Sequence, residues 1–173
     1  MAHAASRGQV TGLRRTGRLP AEADSFVGRE AELAAITALL RSARMVTVTG
    51  PAGAGKTRTA LGAASRVEGQ YPDGTWLADL GAVDDPAGVA AAVAAALGLP
   101  DDDAEPVLAG VLGYLRGREL LLVLDTCEHL VDAAASFADT VLRAAPGVTL
   151  LATSRQPLDA QGEHAFPLLP LPA

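Results

Sequence analysis

Residues 45–57 constrain the fold of this 173-residue chain more than any other stretch. Met45-Val46-Thr47-Val48-Thr49 is a short β-branched run that reads as a strand. It feeds directly into Gly50-Pro51-Ala52-Gly53-Ala54-Gly55-Lys56-Thr57, which matches G-x-x-x-x-G-K-[ST], a loop whose backbone N–H groups cradle phosphates. After it, Arg58 to Val67 reads as a helix with Leu61 and Ala64 on its inner face. A strand, a glycine turn and a helix N-terminus aim successive N–H groups at one spot, where the helix dipole also favours an anion.

Lys56 is the only lysine in the chain; apart from the histidines, every other basic side chain is an arginine. An arginine substitutes readily on a solvated surface, but not where a compact ammonium must reach between phosphates as a point charge. Lys56 is therefore expected to bridge the β- and γ-phosphates of a nucleotide, and the Thr57 hydroxyl to ligate Mg²⁺. Gly50, Pro51, Ala52, Gly53, Ala54 and Gly55 supply the cradle, with Arg58 beside it on the first helical turn. The octapeptide matches the phosphate-binding loop of P-loop NTPases.

Composition narrows the remaining classes. Hydrophobic residues make up 49% and aromatic residues only 3%, so the core must be built from Ala, Leu and Val. A net charge of −6 provides no basic surface for direct nucleic-acid binding. A single cysteine, Cys127, excludes an internal disulfide and reads as a small buried residue. His3, His129 and His164 are scattered and carry no motif. No apolar run reaches the ~18 residues of a membrane span, and no signal-peptide h-region opens the chain. A cytoplasmic protein is expected.

The first 24 residues lack apolar periodicity. Arg7, Arg14, Arg15 and Arg18, with no acid before Glu22, give them a composition shared with transit peptides. They read as a disordered leader or inter-domain linker, with one core over residues 25–173. Within it, helices are expected at about 30–41, 56–68, 86–97, 105–116 and 129–145, and strands at about 45–49, 75–80, 119–125, 148–153 and 164–168. Asp101-Asp102-Asp103 reads as a solvated helix N-terminus in preference to a metal cluster. The alternation predicts a three-layer αβα P-loop NTPase with a mainly parallel five-stranded sheet. Ligands of such sheets sit beyond the strands' carboxyl ends. The phosphate loop, Asp125 and Thr153-Ser154-Arg155 all follow a strand at that end.

Asp125 closes the run Leu120-Leu121-Leu122-Val123-Leu124, a strand apolar enough to be buried on both faces. A carboxylate fixed there is placed to support Mg²⁺. Glu128 could polarise an attacking water as general base. Asp125-x-x-Glu128 before an apolar helix also fits a capping box, and the sequence leaves both open. Arg155 is placed either to touch a γ-phosphate or to be an ordinary surface arginine, with Thr153 and Ser154 offering hydroxyls nearby.

Phe26-Val27-Gly28-Arg29-Glu30, the octapeptide, Leu121 to Leu130 and Thr153-Ser154-Arg155-Gln156-Pro157-Leu158 together resemble the STAND (NB-ARC-like) ATPases, most closely those of large bacterial LuxR-type and SARP-type transcriptional regulators. The similarity runs from about residue 19 to the C-terminus. It implies that Val27, Gly28 and Arg29 lie against adenine and ribose, so that the nucleotide is ATP or ADP. The family commonly has Asn where this chain has Thr126. Such regulators continue into a helical lid, sensor repeats and a DNA-binding domain. The expectation here is a core ending at the proline-rich exit to that lid, with the missing parts as partners.

Three functions are consistent with these residues. The first is a regulatory switch that binds ATP and hydrolyses it slowly with Mg²⁺. The second is an interaction module holding ADP without turnover, and the third a small-molecule kinase using the same loop. Lys56, Asp125, Glu128 and Arg155 are the candidate catalytic residues, and Thr57 and Asp125 the candidate metal ligands.

Overall fold

The computed structural model describes residues 17–19, 28–100 and 106–171. The run Asp101 to Asp103 lies outside them, as do Val27 and most of the expected leader. The elements in chain order are β1 (Gly17–Arg18), α1 (Glu30–Ser42), β2 (Met45–Thr49), α2 (Lys56–Arg66), β3 (Thr75–Asp79), α3 (Gly88–Ala96), α4 (Val107–Leu115), β4 (Leu120–Asp125), α5 (Val131–Ala144), β5 (Val148–Ser154) and β6 (Glu163–Pro167). A short 3₁₀ turn, Glu68–Gln70, follows α2.

The sheet order is β1-β3-β4-β5-β2-β6. From β3 to β6 the five strands pair in parallel, as the alternating pattern requires. The sheet nevertheless has six strands, because β1 pairs antiparallel with the free edge of β3, Gly17 opposite Leu77 and Arg18 opposite Trp76. Those residues belong to the stretch expected to be a disordered leader. Edge pairing uses backbone groups alone, so it leaves no apolar periodicity for a sequence reading to detect.

Side chains leave the sheet alternately to two cores. Leu120, Leu122 and Leu124 of β4 pack with α3, α4 and α5, among them Val93, Leu115, Phe137 and Val141. Leu121 and Val123 point the other way, into a layer with Leu33 and Ile36 of α1 and Ala60 and Ala63 of α2. Burial on both faces is why β4 is apolar at every position up to Asp125. Burying one such leucine contributes on the order of 1.5–3 kcal/mol relative to exposing it, so Asp125 ends a strand with little freedom to shift.

The core accepts small helices. The Ala-rich α3 lies flat on the sheet, with Val89, Val93 and Ala96 buried. Cys127 is fully buried and unpaired; burial first, then the neighbouring Asp125 and Glu128 carboxylates, push its thiol far above the usual range, so it stays a neutral packing group. Among the described residues no helix is long and apolar enough to cross a membrane.

Candidate nucleotide site

The parallel register fixes which side chains meet. In the β2–β5 pair Val48 lies opposite Thr153 and Thr49 opposite Ser154, and in the β4–β5 pair Leu124 lies opposite Ala152. The carboxyl end of β5 therefore stands between the phosphate loop, which leaves β2, and Asp125, which ends β4. These are the elements that the sequence placed at one end of the sheet.

The loop's glycines have distinct duties. Gly53 (φ +83°) and Gly55 (φ +90°) adopt the left-handed region, where a Cβ would be strained. No atom lies within 4 Å of where a Cβ would stand on either. Their N–H groups make no hydrogen bond among the described residues. Gly50 answers to a different constraint: a Cβ there would meet the Leu168 carbonyl oxygen at 2.5 Å. The chain leaving β6 crosses at that point, held by Leu168 N–H donating to Thr49 O at 2.7 Å. That close approach was not legible in the motif. Pro51 and Ala52 are exposed on the outer turn, and the Pro51 carbonyl accepts from Ala54 N–H (3.2 Å) and from Lys56 Nζ (3.0 Å).

Asp125 is 0% exposed. Its Oδ1 accepts from Thr57 Oγ1 and from Thr153 Oγ1, both at 2.7 Å. Thr153 Oγ1 in turn accepts from Thr126 N–H at 2.8 Å, and Cys127 N–H donates to Thr153 O at 2.9 Å. Such donors replace the hydration that a buried carboxylate gives up. The two candidate metal ligands, 68 residues apart, thus touch directly.

Thr126 carries the chain away from Asp125 with φ +66°, a rare conformation for a β-branched residue. Two residues on, Glu128 Oε1 is buried and has no hydrogen-bond partner among the described residues. Helix α5 begins only at Val131, its N-cap is Leu130, and no side chain caps it. Of the two readings left open for Glu128, the geometry therefore disfavours the helix cap.

A cavity of about 380 Å³ is lined by Ala52, Gly53, Gly55, Lys56, Thr57, Arg58, Thr126, Glu128 and Thr153, with the fully buried Asp125 behind Thr57 and Thr153. Arg155 is exposed and does not line it. Arg29 does not line it either: its guanidinium is buried and donates to Ala54 O at 2.7 Å, behind the loop. Gly28 is exposed at φ +90°, with the Leu171 side chain 3.5 Å from where its Cβ would stand. Arg58, on the rim, is exposed.

Comparison with known proteins gives the same fold. A family profile described as "AAA domain" matches residues 39–156. "Uncharacterized protein Rv0894" of Mycobacterium tuberculosis is 40% identical over 147 residues, covering 85% of this chain and 37% of that protein. "Putative HTH-type transcriptional regulator Rv0890c" of the same organism is 42% identical over 126 residues, covering 73% of this chain and 14% of the regulator. The chain thus spans little more than a third of the first relative and a small part of the second. Among solved structures, the Aeropyrum pernix ORC2 protein in ADPNP–ADP complexes superposes with a TM-score of 0.60 at 16% identity, over 83% of this chain and 48% of that one. A Pyrococcus horikoshii STAND protein with a tetratricopeptide repeat sensor does so with a TM-score of 0.55 at 17% identity, over 88% and 24%. The two structural likenesses speak to the fold alone, whereas the profile covers most of the described core. This chain belongs to the AAA-domain family of P-loop NTPases.

Proposed function

We propose that the chain is an adenine-nucleotide switch module, which binds ATP or ADP at residues 50–57 and hydrolyses ATP slowly with Mg²⁺. One observation carries the reading: Thr57 lines a cavity and is tied to the fully buried Asp125 behind that lining, while Glu128 brings to the same lining a buried carboxylate oxygen with no partner among the described residues. An acceptor buried without a donor costs about 1–3 kcal/mol, which a bound water or ion would recover.

The donor set fits magnesium. Hard oxygen groups, a hydroxyl and a carboxylate, stand together beside the Gly53 and Gly55 N–H groups, which make no bond among the described residues, and Thr57 and Asp125 would hold the ion. When bound, Mg²⁺ supplies neutralisation of phosphate charge. The protein's own part is positional. Gly53 and Gly55 present N–H groups to the phosphates, Lys56 adds a point charge, and Glu128 orients a water and takes its proton. Thr153 fixes Asp125 and the turn that carries Glu128.

The ADPNP–ADP complexes of the ORC2 structure support an adenine nucleotide as ligand. The match to a segment of an HTH-type regulator supports a place inside a larger regulatory protein. Residues 25–173 then form its nucleotide-binding core, in the cytoplasm, with lid, sensor and DNA-binding parts as partners. The acidic core itself does not bind nucleic acid. A second reading, ADP held without turnover, draws on Arg155: its exposure outside the cavity leaves transition-state charge to Lys56 and Arg58. Nothing in the site favours the small-molecule kinase.

Nucleotide affinity measured beside Mg-ATP turnover separates these readings. Binding with slow turnover supports the switch, and binding without turnover the ADP-holding module. Absence of binding contradicts both.

A further inference from the structure

We infer that Arg29 is a positioning residue for the phosphate loop, acting through the Ala54 carbonyl and not through the base or ribose of the nucleotide. The inference rests on the nucleotide-binding reading above. Arg29 is 3% exposed, an unusual burial for a guanidinium, and it sits immediately before α1. Its Nη2 donates to Ala54 O at 2.7 Å, across 25 residues of sequence, while Nη1 reaches Glu32 Oε2 only at 3.5 Å. The short bond to a carbonyl is thus the main satisfaction of a buried cation, and charge-assisted bonds of this kind are about twice as strong as neutral ones.

Ala54 is the pivot of the loop. It is buried, whereas Gly53 and Gly55 on either side are exposed and left-handed. Both of its backbone polar groups are committed within the protein, N–H to Pro51 O and C=O to Arg29. The N–H groups of Gly53 and Gly55 are uncommitted, and both residues line the cavity while Ala54 and Arg29 do not. Holding the Ala54 oxygen on the far side keeps its negative end away from incoming phosphate and leaves the neighbouring donors facing the cavity. Arg29 also anchors α1, since its own carbonyl accepts from Leu33 N–H at 2.8 Å. The first helix and the phosphate loop are thereby one mechanical unit.

The test compares ligands with and without a base. Affinities for ADP and for inorganic pyrophosphate, the latter by competition against ADP, are measured calorimetrically for wild type, Arg29→Met and Arg29→Lys. Arg29→Met keeps the stem and removes the donors; it should weaken both ligands by the same factor, on the order of tenfold. Arg29→Lys keeps a charged donor and should restore most of that loss for both. Weakened ADP with unchanged pyrophosphate would overturn the inference in favour of a base or ribose contact, and unchanged affinity for both would remove Arg29 from the site. Hydrogen exchange at the amides of residues 52–56 without ligand provides a readout independent of nucleotide: faster exchange in Arg29→Met is expected, and unchanged exchange overturns the inference. A wild type that binds neither ligand would instead contradict the nucleotide reading, whatever the exchange shows.

Discussion

The layer beneath the cavity lining and the lining itself hold two carboxylates three residues apart, yet in opposite states. Beneath the lining, Asp125 is fully buried and takes two hydroxyl hydrogen bonds on one oxygen. On the wall, Glu128 has a buried oxygen with no donor among the described residues. A satisfied carboxylate at the end of a rigid strand is built to stay still. An unsatisfied one beyond a left-handed turn is built to receive something. Both carboxylates have a buried oxygen; the donors, and access to the cavity, tell them apart.

The largest expected effect comes from the wall. Glu128→Gln preserves shape and removes the base, so turnover should fall by about 10²- to 10⁴-fold while ATP still binds. Single-turnover hydrolysis beside ATP titration checks this, and equal turnover in the variant would erase the functional difference between the two carboxylates.

Beneath the lining, Asp125→Asn keeps an acceptor for Thr57 and Thr153 but removes the charge. Binding of Mg-ATP should weaken by about ten- to a hundred-fold, with metal-free ADP much less affected. Titrations with and without Mg²⁺ decide it. An unchanged magnesium dependence would mean that Asp125 serves only to tie Thr57 to Thr153.

The smallest effect concerns the turn between them. Thr126 at φ +66° bears a cost that Asn tolerates better. Thr126→Asn should stabilise the fold by about 1 kcal/mol, a rise of roughly 2–4 °C in melting temperature for a domain of this size. A lower melting temperature would show that the Thr126 side chain contributes more than its backbone conformation costs.

The same contrast explains what was legible in the sequence. The unbroken run Leu120 to Leu124 has few homes other than a strand covered on both faces, so β4, its neighbours and the three-layer fold could be read from pattern. Gly53, Gly55 and Lys56 were legible because their chemistry leaves a fixed spacing. The sixth strand was not, because Gly17 and Arg18 join the sheet through backbone groups that every sequence possesses. Gly50's second duty depends on Leu168, more than a hundred residues away. Arg29 was assigned by resemblance to the base side, and no local pattern could reveal that its guanidinium ends on the Ala54 carbonyl. Glu128 fitted a helix cap in the sequence, and only the start of α5 at Val131 speaks against that cap.

All of these roles presuppose that a nucleotide occupies residues 50–57, which a calorimetric titration of wild type and Lys56→Ala with ADP and ATP tests most directly. One molecule should bind per chain, and Lys56→Ala should lose about ten- to a hundred-fold in affinity, the equivalent of one charge-assisted phosphate contact. Equal affinities in the two proteins, or no binding by the wild type, would contradict the account.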